Sequence, residues 1–193
     1  MESGKAVTTI QGVDFTKDAA IVARKIIGMA LLVDGIGGTI VETEAYDEKE
    51  AASHAFRGLN KRNAVLFGPP GHAYIYLSYG IHWCLNFVCR EEGHAAGVLI
   101  RAIEPTNGIE EMIKRRNQSD LRLLCSGPGR LGQALGVTLA LNGKRIDAPP
   151  FELLPAKKSP RVVVGTRIGL SKEAERRWRY GLAGSRFLSA PFR

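Results

Sequence analysis

The chain has 193 residues, 45% hydrophobic and 24% charged, with a formal net charge of +8. That suffices for one domain with a proper core, and no apolar run approaches a membrane span, IIGMALLV being the longest. Residues 1–113 hold 10 Lys and Arg against 14 Asp and Glu, net −4, while residues 114–193 hold 17 against 5, net +12. A basic lobe beside an acidic one suits a polyanion partner such as nucleic acid, although a soluble basic surface carries the same signature. The N-terminus MESGKAVTT lacks the basic-then-apolar order of a signal peptide. Cys84, Cys89 and Cys125 are odd in number and form no CxxC. This argues against a disulfide scaffold or zinc ribbon and for a reducing, cytoplasmic setting.

Asp14 to Gly28 reads as an amphipathic helix. Asp14 or Thr16 serves as cap, Ala19, Val22, Ala23, Ile26 and Ile27 form the apolar stripe, and Gly28 is the stop. Met29–Val33 and Thr39–Tyr46 flank the turn DGIGG and predict an antiparallel hairpin. In VETEAY, side chains two apart share a face, so Glu42, Glu44 and Tyr46 point one way and Val41, Thr43 and Ala45 the other. A plain core strand would turn Val and Ala inward and leave the carboxylates to water. Asp47–Arg62 is a polar loop carrying His54, Arg57, Lys61 and Arg62. A loop histidine is ordinarily just solvated; this one closely follows paired carboxylates.

GPPG (68–71) opens a second hairpin, HAYIYLSYGIHWCLN, with its turn near Tyr79-Gly80. Tyr74 and Tyr76 share a strand face, and Tyr79 sits at the tip with little to pack against. Asn86 lies mid-strand among Trp83, Leu85, Phe87 and Val88. A buried amide there either bonds neighbouring backbone or tests a ligand's donors and acceptors. Gly97–Ile103 is an apolar strand interrupted by Arg101, which needs a phosphate or a carboxylate such as Glu42 or Glu104. Asn107–Arg116 reads as a short helix. SGPGRLGQALG (126–136) is a Gly-rich loop feeding a helix, without the GK[ST] of a Walker motif. With Arg130 near that helix N-terminus it either holds a phosphate or is a plain junction. NG at 142–143 marks a turn, Phe151–Leu154 and Val162–Thr166 are short strands, and Ser171–Tyr180 reads as a basic helix. With no repeat, low-complexity tract or linker, the expected fold is α/β (α+β). It is a single compact domain, 1–193, around a curved, mostly antiparallel sheet with a protruding β-hairpin.

Carboxylates, a histidine, several tyrosines and an exposed aromatic tip suit base-extrusion chemistry. Glu42 and Glu44 lie about 6.6 Å apart along one strand, so spacing alone also admits a two-carboxylate glycosidase. A non-catalytic nucleic-acid binder explains the basic half and the aromatics, but not paired carboxylates beside a polyanion. A nucleoside or glycoside hydrolase explains the carboxylates but not the basic half. His54, His72, His82 and His94 lack metal-ligand spacing, and no cofactor is expected.

The ordered set VETEAY, SHAFRG, KRN, FGPPGHAYIYLSYGIHWCLN, VLIRAIEP and CSGPGRLGQALG resembles the alkyladenine (3-methyladenine) DNA glycosylase family over nearly the whole chain. The resemblance implies a monofunctional glycosylase that flips and hydrolyses alkylated or deaminated purines out of double-stranded DNA, as a monomer. By the same resemblance Glu44 is the general base that activates water. Arg101 helps hold that water near the phosphate, and the Ile168 carbonyl also contacts it. Tyr46 stacks on one side of the flipped base, and His54 and Tyr76 on the other. Asn86 crowds the exocyclic amine of normal guanine, and Tyr79 intercalates. Arg130, Arg145 and Arg167 are expected on the DNA backbone. No lysine sits in the aromatic and carboxylate cluster, so water, not an amine, is the expected nucleophile.

Overall fold

In the computed structural model, which describes residues 8–192, the chain is organised by antiparallel hairpins. Strands β1 (Thr9–Ile10) and β2 (Val13–Asp14) form a separate ribbon ahead of helix α1 (Ala19–Lys25). Then come β3 (Ala30–Val33), β4 (Ile36–Asp47), β5 (Ala73–Ser78), β6 (His82–Cys89) and β7 (Ala96–Asn107). Helices α2 (Ile109–Arg116), α3 (Leu121–Leu124) and α4 (Pro128–Leu135) follow, and β8 (Phe151–Leu154), β9 (Val162–Gly165) and β10 (Arg179–Leu182) complete the order. Eight strands make one curled antiparallel sheet, β5-β6-β7-β4-β10-β9, with β3 on β4 and β8 on β3. The expected α+β class is therefore what forms.

β4 is the centre of that sheet. Its far edge pairs with β7 from Gly37 to Asp47, while the near edge takes β3 first and β10 afterwards. The expected hairpin between β3 and β4 forms, but its turn is only Asp34 and Gly35, both at positive φ. Ile36, Gly37 and Gly38 of the expected turn already belong to β4. On one face of the sheet, Val22, Ala23, Ile26 and Ile27 bury against Ile40, Ala45 and Ile100. Each such side chain contributes about 1.5–3 kcal/mol when removed from water. Leu131, Ala134 and Leu135 of α4 join the same core. Gly132 lets α4 lie directly on β6, because a Cβ there would sit 2.0 Å from the Trp83 carbonyl oxygen.

Three expectations need correction. The helix expected over 14–28 is only Ala19–Lys25, because the Asp14 carboxylate accepts from the Thr16 backbone N–H and hydroxyl, and Asp14 pairs in β2. No basic helix forms over 171–180. Glu173 takes a positive φ, Arg176 stacks on Trp178 at 4.4 Å, and Arg179 and Tyr180 enter β10. The alternation in VETEAY also breaks. Ile40 faces Ile103, Glu42 faces Ala102 and Thr43 faces Ile100, so Val41 and Arg101 have no opposite partner. This irregularity keeps Thr43 toward α1, its hydroxyl donating to the Ala23 carbonyl at 2.9 Å. Val41 instead leaves the main core to pack with Ala102 and Phe187. Bulges re-aim side chains, and this one lies where the carboxylates are presented.

Candidate active site

A cavity of about 500 Å³ opens between the β5–β6 hairpin, the loop after β4 and the loop after β9. That volume is in the range of small-ligand sites. Tyr46, His54, Tyr76, Asn86, Arg101, Ile168 and Tyr79 all line it. Residues distant in sequence, to which the family resemblance gives roles, therefore line one space.

Glu44 lies beneath this cavity, fully buried. One carboxylate oxygen accepts from the Ile168 backbone N–H at 2.8 Å. The other accepts from the Tyr46 hydroxyl at 2.8 Å and from Arg101 at 3.2 Å. An ionised carboxylate has about four acceptor positions, so one remains open. Burial, then the adjacent Glu44 charge, push the Tyr46 phenol far up, so Tyr46 stays a donor. Burial works against the Arg101 charge, but Glu44 and Glu42 outweigh it and its pKa is raised. Arg101 is therefore a fixed cation between two carboxylates. Ile168, expected to offer its carbonyl, meets Glu44 through its N–H.

Glu42 differs from Glu44, although both are fully buried. It accepts from Arg101 at 3.3 Å, Arg179 at 2.7 Å and the Ser189 hydroxyl at 2.8 Å, all on one oxygen. The other oxygen accepts from the Ser189 backbone N–H. Three donors thus crowd one Glu42 oxygen and a backbone N–H takes the other. Glu44 meets the cavity through the lining residues Tyr46, Arg101 and Ile168, whereas Arg179 and Ser189, the other partners of Glu42, do not line it. The two carboxylates that spacing left equivalent are thus distinguished.

The aromatic wall comes from strand alternation and one loop. Tyr74 and Tyr76 project from one face of β5 with rings 5.7 Å apart, and the His54 ring meets Tyr76 edge-on at 4.4 Å. The Tyr74 hydroxyl lies 3.3 Å from His54 Nδ1. Partial burial, and then Arg62, hold the His54 pKa below its ordinary value, while burial pushes the Tyr74 phenol up to about 12. Asn86 follows the structural alternative in part: its amide donates to the Tyr74 carbonyl at 3.1 Å, yet it still lines the cavity. Tyr79 takes a φ of +51° beside Gly80 at +71° and is 90% exposed. A bulky residue in the left-handed region is a strain that functional sites tolerate.

The three arginines expected on the DNA backbone separate. Arg130 is exposed and, among the described residues, bonds within its own turn to Ser126. Arg145 is exposed but held by Asp147 through contacts of 2.9 and 2.6 Å. Arg167 is a correction. Its side chain is fully buried, forks onto Glu50 and donates to the Ala45 carbonyl at 2.8 Å, so it cannot reach a phosphate. Its guanidinium lies 4.7 Å from the Tyr46 ring centroid, where it supports the cavity wall from behind. Sequence reading did not place Glu50, Tyr74 or Arg62 in this site. Tyr74 was signalled by its alternation with Tyr76. Arg62 donates to the Leu77 carbonyl at 3.0 Å and approaches Tyr76, for which the sequence carried no signal.

Residues 13–186 match the family described as methylpurine-DNA glycosylase (MPG). A Nitrosospira multiformis protein is 62% identical over 181 residues, covering 94% of this chain and 94% of its own. Relatives from Rhodopseudomonas palustris and Rhizobium etli are 58% and 52% identical, covering 92% and 93% of this chain and 89% and 88% of theirs. All three carry the name "Putative 3-methyladenine DNA glycosylase". A match over this much of the chain, joined to a buried carboxylate beneath an aromatic cavity, makes the protein an enzyme of the methylpurine-DNA glycosylase family.

Proposed function

We propose that this enzyme acts as a single domain that flips damaged purines from double-stranded DNA and hydrolyses them off the sugar without a lyase step. Its substrates are 3-methyladenine and other N-alkylated purines, with hypoxanthine and ethenoadenine as neutral substrates. The observation that carries this reading is Glu44, held by three donors with one acceptor position open, beneath a cavity walled by Tyr46, His54 and Tyr76.

The steps follow from charge. Tyr79 enters the gap left by the flipped nucleotide, and the base stacks between Tyr46 and the His54–Tyr76 pair. An N3- or N7-alkylated purine is cationic, so electron-rich tyrosine faces favour it by a cation–π contact. Water, oriented by Glu44 and Arg101, attacks C1′. The C1′–N bond breaks with its electron pair going to the base, which leaves neutral, and Glu44 takes the proton of the water. The carboxylate charge also favours the oxocarbenium-like transition state. Neutral hypoxanthine needs a proton at N7 before it leaves. Asn86 narrows the space at the purine edge against the exocyclic amine of guanine. Among the described residues the cavity lining contains no lysine, which favours water as nucleophile over a covalent amine route.

The test is incubation with duplexes bearing one ethenoadenine, hypoxanthine or 3-methyladenine, followed by alkaline cleavage of abasic sites. Strand breaks only after alkali, and no adduct on borohydride treatment, are expected. Breakage without alkali, or a trapped adduct, would contradict the hydrolytic reading.

A further inference from the structure

A cluster beside the site remains without a role in the steps above. The buried Glu42 and Arg179 and the partly exposed segment 187–192 form a network that, among the described residues, meets the catalytic carboxylate through Arg101. Residues 187–192 also lie beyond the part of the chain that matches the family.

This segment is fastened along its length. Phe187 packs against Val41, which the bulge displaces, and Ala102, which pairs with Glu42. Ser189 gives Glu42 both its backbone N–H and its hydroxyl. Arg179 donates to the carbonyls of Ala190 and Pro191, and its guanidinium lies 3.9 Å from the Phe192 ring centroid. Gly181 makes the approach possible, since a Cβ there would lie 2.5 Å from a Phe192 ring carbon. Burying two carboxylates and two guanidiniums is not an economical way to stabilise a fold, because apolar side chains of similar volume often do as well. Such a network is better suited to fixing a geometry.

The geometry it fixes is that of Arg101. Arg101 Nε faces Glu42 at 3.3 Å, one terminal nitrogen faces Glu44 at 3.2 Å, and the other reaches the Ser189 hydroxyl at 3.5 Å. An arginine offered a single carboxylate prefers a two-point fork onto it. Here Glu42 takes Nε and the Ser189 hydroxyl takes the second terminal nitrogen, so Arg101 gives Glu44 one contact and leaves the fourth acceptor position of Glu44 unfilled. We infer that Glu42, Arg179 and Ser189 are positioning residues that divide Arg101 between two carboxylates, keeping Glu44 open to water. None of the three lines the cavity. The inference rests on the proposed role of Glu44, but its effect on Arg101 can be read without any activity.

The test uses Glu42→Gln and Ser189→Ala in the full chain, with Gly181→Val to lift the segment through Phe192 without touching a charge. The readouts are the single-turnover excision rate constant with enzyme in excess, the Kd for uncleaved lesion duplex, and the crystal structure of each variant. Ser189→Ala is expected to slow excision about 3- to 10-fold and Glu42→Gln about 30- to 100-fold, with Kd within about twofold, as for a misplaced reacting group. The Arg101 guanidinium should move toward a two-point contact with Glu44 in the crystals. A merely structural role would lower the active fraction and leave the rate constant of the active molecules unchanged. That result, or an Arg101 unmoved in the variant crystals, would overturn the inference. If Glu42→Gln fails to fold, Ser189→Ala, which keeps all four charges, decides it. If the wild type releases no base, the proposed function fails, while the position of Arg101 in the crystals still decides this inference.

Discussion

At the residue scale, Tyr79 and His54 carry the clearest expectations. Tyr79 is 90% exposed, so it stabilises little in the free protein. Tyr79→Ala should leave Tm nearly unchanged and slow excision from stacked duplex at least about tenfold, equivalent to about 1.4 kcal/mol. The loss should shrink when the lesion sits in a bulge, where the stack is already weak. Equal loss on both substrates would mean that Tyr79 packs and does not wedge. For His54, partial burial and then Arg62 depress the pKa, so the neutral ring is the form the fold favours. Its contribution to stability is present above its ordinary value of about 6.5 and is lost as pH falls through the folded value. Thermal melts of wild type and His54→Phe should therefore converge between pH 7.5 and 5. Parallel curves would show that the His54 proton is not linked to folding.

At the element scale, β4 and the β5–β6 hairpin were legible and their irregularities were not. Turn chemistry announced itself: Asp34-Gly35 and Tyr79-Gly80 both sit where positive φ is needed. Alternation placed Tyr74 beside Tyr76 and Glu44 beside Tyr46 correctly. It misplaced Val41, because the extra residue of a bulge depends on the partner strand, which local periodicity does not encode. Charge in 171–180 suggested a helix, but Arg179 is drawn into β10, where it pairs with Glu42, 137 residues away in sequence. Arg167 was misread for the same reason, since its partner Glu50 is 117 residues away. The seat of α4 is a further test at this scale. Gly132→Ala must push the helix off the Trp83 carbonyl, destabilising the fold by about 1–3 kcal/mol. A fall in Tm of roughly 4–8 °C is expected for about 2 kcal/mol at this size. An unchanged Tm would mean that α4 is not held against β6 in solution.

At the scale of the whole molecule, the charge asymmetry and the cavity have to serve one DNA duplex. Binding should weaken steeply with salt, each phosphate contact adding about 0.9 to the log–log slope. Arg130→Ala should lower the slope by about one such unit. Arg145→Ala should change it less, because Asp147 already holds that guanidinium. Arg167→Ala should leave the slope alone and lower Tm, because it unpairs a buried Glu50. A flat salt response would mean that the basic half faces something other than DNA. The central claim, that Glu44 activates water for base hydrolysis, is tested most directly by single-turnover excision of ethenoadenine from duplex DNA by wild type and Glu44→Gln. The account predicts a rate constant lower by about 10²- to 10⁴-fold, with lesion-DNA Kd within about twofold. Near-wild-type excision by Glu44→Gln would contradict it and move the base to another group.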